Sequence, residues 1–213
     1  VWAETCPQYL LLNDKEMARL GPFAKIGPPL RSSDGVNQAA LWAGTEQGFV
    51  STVASDHSPR VPAAKEAGRT NIFVDKEGKP IPFGAPSLET LVPLMWSEGV
   101  VNRGLPVTWM ARVMAENPAR IFGLYPRKGA VRVGSDADLT IWDPAPSWTI
   151  EQKHHLGIAG FTPYEGWAAR GRPWMTLLRG QVLLNGGTLE QKPGHGRFLA
   201  RTNPMAPLGG SVR

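Results

Sequence analysis

The sequence predicts a mixed α/β protein in which helices alternate with strands and a small all-β unit follows. Three observations carry this. A short helix, a short apolar strand and a polar cluster succeed one another between residues 37 and 59, the rhythm of a parallel barrel or a doubly wound sheet. After Pro126 the texture changes, and alternating runs with hairpin turns replace helical spacing. A chain of 213 residues, 42% hydrophobic and 19% charged, can bury a sizeable core and is not a disordered polymer. The boundaries drawn from this texture are 1–126 for the αβ part, 127–190 for the β unit and 191–213 for an extended tail.

The elements follow in order. Residues 1–5 alternate as a strand does and end at Cys6-Pro7, where proline marks the exit. Asn13 or Asp14 can cap a helix over 15–20. Residues 21–35 carry Gly-Pro, Gly-Pro-Pro and Ser-Ser-Asp-Gly and are expected to be loop throughout. A helix over 37–47 presents Ala40, Leu41 and Trp42 and stops at Gly48. Residues 49–54 form a β-branched strand that runs into Ser55-Asp56-His57-Ser58-Pro59. Residues 59–86 are expected to be a lid or binding loop. Ser87 is expected to cap a helix over 88–100, with Met95 and Trp96 on core spacing. Pro106 should open a helix at its first position, and Asn117 a last turn that closes at Gly123. In the β unit, 128–134 reads as a turn and a strand, and 137–143 as a strand stopped by Pro144. Residues 174–178 and 181–184 read as strands joined at Arg179-Gly180.

Composition narrows the function classes. Gly (24) and Pro (20) make up about a fifth of the chain, which predicts many turns and few long helices. The one cysteine, Cys6, excludes a disulfide within the chain and reads as a small buried residue without reactive character. The net charge of +5 is scattered, and Arg197, Arg201 and Arg213 come nearest to a patch. With no aromatic-basic interleaving and no phosphate loop, no nucleic-acid partner is expected. No apolar run approaches the ~20 residues of a membrane span, and no signal pattern opens the chain, so a cytoplasmic protein without a membrane partner is expected. The four histidines (57, 154, 155 and 195) make no HxH or HExxH pair, so the chain alone cannot build a multi-histidine metal site. His154 and His155 are expected at the surface, His195 in solvent, and Asp136 and Asp138 in a turn.

The sharpest local feature is Ser55-Asp56-His57-Ser58-Pro59. It lies past the C-terminal end of a strand, where parallel αβ folds place their chemistry. An aspartate there can bind a metal through one oxygen and carry a proton on the other. The same residues also suit an ordinary turn, and spacing alone does not separate the two. Adjacent side chains on a strand point to opposite faces, so His57 joins Asp56 at a site only if the strand has ended.

Seven segments, read together, resemble the cyclic amidohydrolases, in particular the hydantoinase/dihydropyrimidinase family. They are Glu4-Thr5-Cys6-Pro7-Gln8-Tyr9-Leu10, Gly27-Pro28-Pro29-Leu30-Arg31, Ala54-Ser55-Asp56-His57-Ser58-Pro59, Gly84-Ala85-Pro86-Ser87-Leu88-Glu89, Asn117-Pro118-Ala119-Arg120-Ile121-Phe122-Gly123-Leu124, Pro126-Arg127-Lys128-Gly129 and Val133-Gly134-Ser135-Asp136-Ala137-Asp138-Leu139. They occur in the family's order and span nearly the whole chain. The resemblance implies the C-terminal part of a (β/α)8 metal-dependent hydrolase barrel plus a small β-sandwich unit. It implies two divalent metal ions, expected to be zinc, held by an HxH pair, a carboxylated lysine, two further histidines and one aspartate. Only the aspartate maps here, onto Asp56; the other ligands would precede Val1. A first residue that is not Met agrees with that expectation, and the chain alone is expected to be inactive.

The resemblance further implies hydrolysis of the C–N amide bond of a cyclic ureide or amide by a cytoplasmic homotetramer. Asp56 would relay the proton of the attacking water, backbone groups at Gly27, Phe83 and Gly84 would meet the ring, and His57 would hydrogen-bond nearby. Two departures leave the substrate open: Gly27 stands where the family often has Ser, and Phe83 where it often has Asn. The Ser-Asp-His-Ser-Pro form also resembles allantoinases, and the family includes non-catalytic scaffold proteins.

Overall fold

Two short strands set the frame. β1 (Glu4–Thr5) and β2 (Thr52–Val53) pair in parallel, with Glu4 opposite Thr52 and Thr5 opposite Val53. This is seen in a computed structural model that describes residues 1–190 and 193–201. The chain forms two compact units: Val1–Met95 with Trp148–Ala169, and Trp96–Ser147 with the described residues from Arg170 onward.

In the first unit, α1 (Pro7–Leu11) opens on a proline, whose missing N–H costs nothing in the first turn. α2 (Asp14–Leu20) is capped by Asn13, whose side-chain oxygen accepts the Lys15 N–H at 2.9 Å. Residues 21–24 then wind into a 3₁₀ turn inside the stretch expected to be loop. α3 (Val36–Gln47) ends where Gly48 takes φ 85°, a left-handed stop that glycine makes without strain. Leu10, Leu12, Trp42 and Val53 form core here, and the Trp42 indole N–H donates to the Leu10 carbonyl at 3.1 Å.

The expected lid, 59–86, contains a helix, α4 (Pro62–Glu66). Its buried residue is the lysine, Lys65, so an apolar pattern could not announce it. α5 (Leu88–Leu94) continues as a π-helical stretch, Met95–Asn102. Met95 is fully buried as expected. Ser87 stands at the N-cap, but its side chain does not cap the helix.

In the second unit, α6 (Val107–Ala111) has Pro106 as its N-cap rather than its first residue. A π-helical turn, Arg112–Glu116, leads into α7 (Asn117–Ile121), and the chain leaves it at Gly123, φ 69°. The strand expected at 128–134 is absent. Charge pairing holds the segment as turns instead: Lys128 lies 2.9 Å from Asp136 and also pairs with Asp138, and Arg127 lies 2.9 Å from Asp136. Asp136 and Asp138 are thus turn residues, and Asp138 also accepts the Arg179 N–H at 2.8 Å.

The sheet runs in the order β3 (Leu139–Thr149), β4 (Ala168–Leu178), β5 (Gln181–Asn185) and β6 (Thr188–Leu189). β3 passes straight through Pro144 and Pro146 instead of stopping. Among the described residues it lies at the edge of the sheet, where a missing N–H on the side away from β4 forfeits no ladder bond. Arg179 and Gly180 take φ 49° and 77°, the two-residue hairpin turn that the sequence suggests. Trp96 packs on Trp142, ring centroids 5.5 Å apart. His195 is half-buried against Arg179, whose Nη2 lies 3.2 Å from its Nε2, rather than in open solvent. Most of the expected tail, Arg213 included, lies outside the described residues. Among those described, no helix is long and apolar enough to cross a membrane.

Candidate active site

Parallel pairing brings the C-terminal ends of β1 and β2 side by side. Gln8 comes three residues after Thr5, and Asp56 three residues after Val53. The two meet: the Gln8 Nε2–H donates to Asp56 Oδ2 at 2.9 Å. Asp56 has φ 47°, a left-handed conformation that aspartate tolerates better than most residues. The strand has already ended at Val53 and the chain turns at Asp56, so the alternation of faces no longer governs His57. The Asp56 side chain is exposed, and Oδ1 has no hydrogen-bond partner among the described residues.

Beside it, the Gln8 carboxamide oxygen and the Tyr9 hydroxyl are buried without a hydrogen bond of good geometry. Burial, then the Asp56 charge, pushes both the Cys6 thiol and the Tyr9 phenol up to about 12. Both stay protonated at neutral pH, so Cys6 is no nucleophile and Tyr9 can only donate or accept a hydrogen bond.

His57 caps the next helix. Its Nδ1 accepts the backbone N–H groups of Ser87 and Leu88, each at 3.1 Å, which places the proton of the neutral ring on Nε2. The Ser87 hydroxyl meanwhile donates to the Ser55 carbonyl. The expected serine cap is therefore corrected: the histidine takes the amides, and the serine ties the helix to the strand end.

The run after Asp56 pairs with the end of the long loop. His57 bridges Ala85 in parallel, and the Ser58 N–H donates to the Ala85 carbonyl at 3.1 Å. Gly84, φ 106°, packs against Ser58 so closely that a Cβ would stand 2.5 Å from the Ser58 Cβ. The Gly84 N–H donates to the Lys25 carbonyl at 3.0 Å. Phe83 lies over Gly27, with its Cδ1 3.3 Å from where a Cβ of residue 27 would stand. The structure thus joins Gly27 to Phe83, and Gly84 to the Asp56–Ser58 run.

Two buried lysines underlie this edge. The Lys25 ammonium donates to the Ile81 carbonyl at 2.7 Å and lies 4.4 Å from the centre of the Phe83 ring. The Lys65 ammonium, with the residue 0% exposed, donates to the Lys25 carbonyl at 3.3 Å. Burial, then Arg60 and Lys25, pulls Lys65 down to about 8. Sequence reading did not single out Gln8, Tyr9, Lys25 or Lys65. Gln8 and Tyr9 were within reach, because they lie in the Glu4–Leu10 segment and match Asp56 in offset from a strand end. Nothing local marks the lysines.

A divalent metal needs several donors. Among the described residues, no group of three or more His, Cys, Asp or Glu stands close enough to hold one. His154 lies 3.3 Å from Glu151 on the surface. Asp56 could offer one oxygen to such an ion: Gln8 holds Oδ2, and Oδ1 has no hydrogen-bond partner among the described residues.

Residues 30–183 match the profile of the Amidohydrolase family. The chain belongs to the amidohydrolase family. It is 35% identical over 203 residues to an L-hydantoinase of Paenarthrobacter aurescens, covering 95% of this chain and 43% of that protein. It is 36% identical over 208 residues to a D-phenylhydantoinase of Escherichia coli, covering 97% and 43%. Among solved structures it is similar to a dihydropyrimidinase from Brevibacillus agri, with a TM-score of 0.88 and 32% identity, covering 97% of this chain and 44% of that one. It is also similar to the L-hydantoinase (dihydropyrimidinase) from Arthrobacter aurescens, with a TM-score of 0.81 and 34% identity, covering 90% and 41%. The chain spans less than half the length of the relatives it matches. Amidohydrolase family members generally depend on divalent metals.

Proposed function

We propose that this chain belongs to a cyclic amidohydrolase that opens the C–N amide bond of a cyclic ureide or amide of the hydantoin or dihydropyrimidine type. The carrying observation is Asp56: exposed, turned left-handed past a parallel strand pair, one oxygen fixed by Gln8 and the other open. The names of the relatives, hydantoinase and dihydropyrimidinase, agree with that reading.

In this reading residues 1–126 supply part of a (β/α)8 barrel, and 127–190 a β-sandwich unit. The Asp56 Oδ1 would ligate one of two divalent ions, zinc by preference, within a homotetramer. Bound there, the metals supply Lewis acidity that polarises the ring carbonyl and makes water acidic near neutral pH. The chain's own residues do the rest. Asp56 accepts the proton of the attacking water and delivers it to the ring nitrogen as the C–N bond breaks. The Gln8 amide keeps the carboxylate in one rotamer, so the proton is carried between fixed points. Backbone groups of Gly27, Phe83 and Gly84 meet the ring, and the Tyr9 hydroxyl offers a buried hydrogen bond at the same edge. His57 holds the following helix against the strand end.

The test is a substrate panel of hydantoin, dihydrouracil, allantoin and dihydroorotate, on the intact gene product with divalent metal added. Ring opening of hydantoin or dihydrouracil is expected to be fastest. Exclusive turnover of allantoin, or none of any ring, would overturn the reading.

A further inference from the structure

Between Ser58 and Gly84 the chain makes a long excursion whose outer part, 69–80, is largely exposed. Its neck is narrow. The Ser58 N–H donates to the Ala85 carbonyl at 3.1 Å, and Gly84 packs directly on Ser58. Movement of the neck reaches the Asp56 run, because Ser58 lies two residues beyond Asp56 and His57 bridges Ala85.

Both limbs of the excursion are tied to one residue, Lys25. On the outgoing limb, α4 sends the Lys65 ammonium to the Lys25 carbonyl at 3.3 Å. On the returning limb, the Lys25 ammonium donates to the Ile81 carbonyl at 2.7 Å, and the Gly84 N–H donates to the Lys25 carbonyl at 3.0 Å. Lys25 is 5% exposed and Lys65 is fully buried.

This arrangement costs stability. The two ammonium groups repel, Arg60 adds a third positive charge facing Lys65, and among the described residues no carboxylate pairs with either lysine. A methionine at position 65 would fill similar space with no charge to desolvate. The fold does not need Lys65 as a donor either, since the Lys25 carbonyl keeps the Gly84 N–H. Stability alone therefore does not account for Lys65, and a local conflict of this kind is expected where function is served.

Resting on the site reading above, we propose that Lys25 and Lys65 are positioning residues of the Asp56 site: they pin both limbs of the excursion at its neck, so that motion of the exposed part is not passed to the carboxylate. Neither lysine touches the substrate. Both act through Gly84, Ala85 and Ser58.

The test is Lys65→Met in the intact, metal-loaded gene product, with Lys76→Met, at an exposed lysine of the same excursion, as the control. Amide hydrogen exchange reads the neck directly at Ser58 and Gly84. In Lys65→Met both amides are expected to exchange about tenfold faster, with a urea midpoint at pH 7 equal to or above that of the wild type. The kcat for hydantoin or dihydrouracil should fall about ten- to a hundredfold with little change in KM, because the carboxylate is misplaced in the transition state while binding is kept. Lys76→Met should match the wild type throughout. Unchanged exchange at both amides overturns the clasp. Faster exchange with an unchanged kcat overturns its role at the site, and so does a fall in kcat that only follows a fall in the urea midpoint. If the wild type opens neither ring, the parent reading fails, and exchange alone decides whether the lysines pin the neck. If Lys65→Met does not fold, wild-type exchange decides: Ser58 and Gly84 should be protected far above Gly78, whose N–H donates to the Asp75 carbonyl in the outer part, and equal protection overturns the inference.

Discussion

Replacing Gly84 by alanine adds one methyl group where the structure has no room for it. The new Cβ would stand 2.5 Å from both Cβ and Oγ of Ser58 and 2.7 Å from the Ser58 carbonyl oxygen. Ordinary contact needs roughly another ångström. The serine hydroxyl can rotate away, but the Cβ and the carbonyl cannot. The Ser58 N–H is bonded to Ala85, and the Gly84 N–H to Lys25, so the two backbones are tied on both sides of the clash. The backbone at φ 106° adds strain for any L side chain. Overpacking costs about 1–3 kcal/mol and the dihedral about 1–2 kcal/mol, so Gly84→Ala is expected to destabilise by about 2–5 kcal/mol. Urea unfolding of the intact gene product should show a lower midpoint with an unchanged slope, and ureide hydrolysis should fall as the 84–86 segment separates from the Asp56 run. Gly78→Ala is the control. It has φ 80° but nothing within 4 Å of the added Cβ, so only the dihedral cost of about 1–2 kcal/mol should appear. Equal effects of the two substitutions would refute the close packing of Gly84 on Ser58.

Three other perturbations probe neighbouring parts. Lys65, lowered to about 8 in the fold from an ordinary 10.5, binds its proton more weakly folded than unfolded, so stability should rise with pH above about 8. Cys6, raised from 9.0 to about 12, and Tyr9, raised from 10.0 to about 12, oppose this once the unfolded groups begin to ionise near pH 9. The expected gain between pH 7 and 9 is about 1 kcal/mol by urea unfolding, and Lys65→Met should remove it. His57→Ala strips two helix amides of their acceptor and should cost about 1–2 kcal/mol, with His57→Asn restoring part of it; equal midpoints for wild type and His57→Ala would contradict the cap. Gln8→Leu frees the Asp56 carboxylate and should lower kcat about 10- to 100-fold in a steady-state assay, whereas an unchanged kcat would remove Gln8 from the site.

Local chemistry that acts over a few residues was legible. Asn13 caps α2, Gly48 stops α3, and Arg179-Gly180 turns the hairpin, each as its residue type dictates. Asp56 stood out because polar residues at a strand's end are conspicuous. Features settled by distant partners were not legible. Ser87 is a good cap residue, but His57, thirty positions earlier, takes the amides that a serine would have taken. Val131 and Val133 alternate as a strand does, yet both are exposed, and without a buried face the pairing of Lys128 with the aspartates shapes the segment. α4 was hidden because the side chain it buries is a lysine. β3 outlasts its prolines because, among the described residues, it lies at the edge of the sheet, a fact of sheet order rather than of sequence. Gly27 and Phe83 were recognised singly, but that one fills the space left by the other is visible only in three dimensions.

The central claim is that Asp56 carries the proton in the opening of a cyclic ureide. The most direct measurement is the turnover of hydantoin or dihydrouracil by the intact, metal-supplemented gene product and by its Asp56→Asn variant, with urea midpoints recorded alongside. The account predicts a loss of kcat of about 10²–10⁴-fold with little change in midpoint, because the exposed carboxylate contributes a single hydrogen bond to the fold. A variant that folds normally and keeps most of its kcat would contradict it.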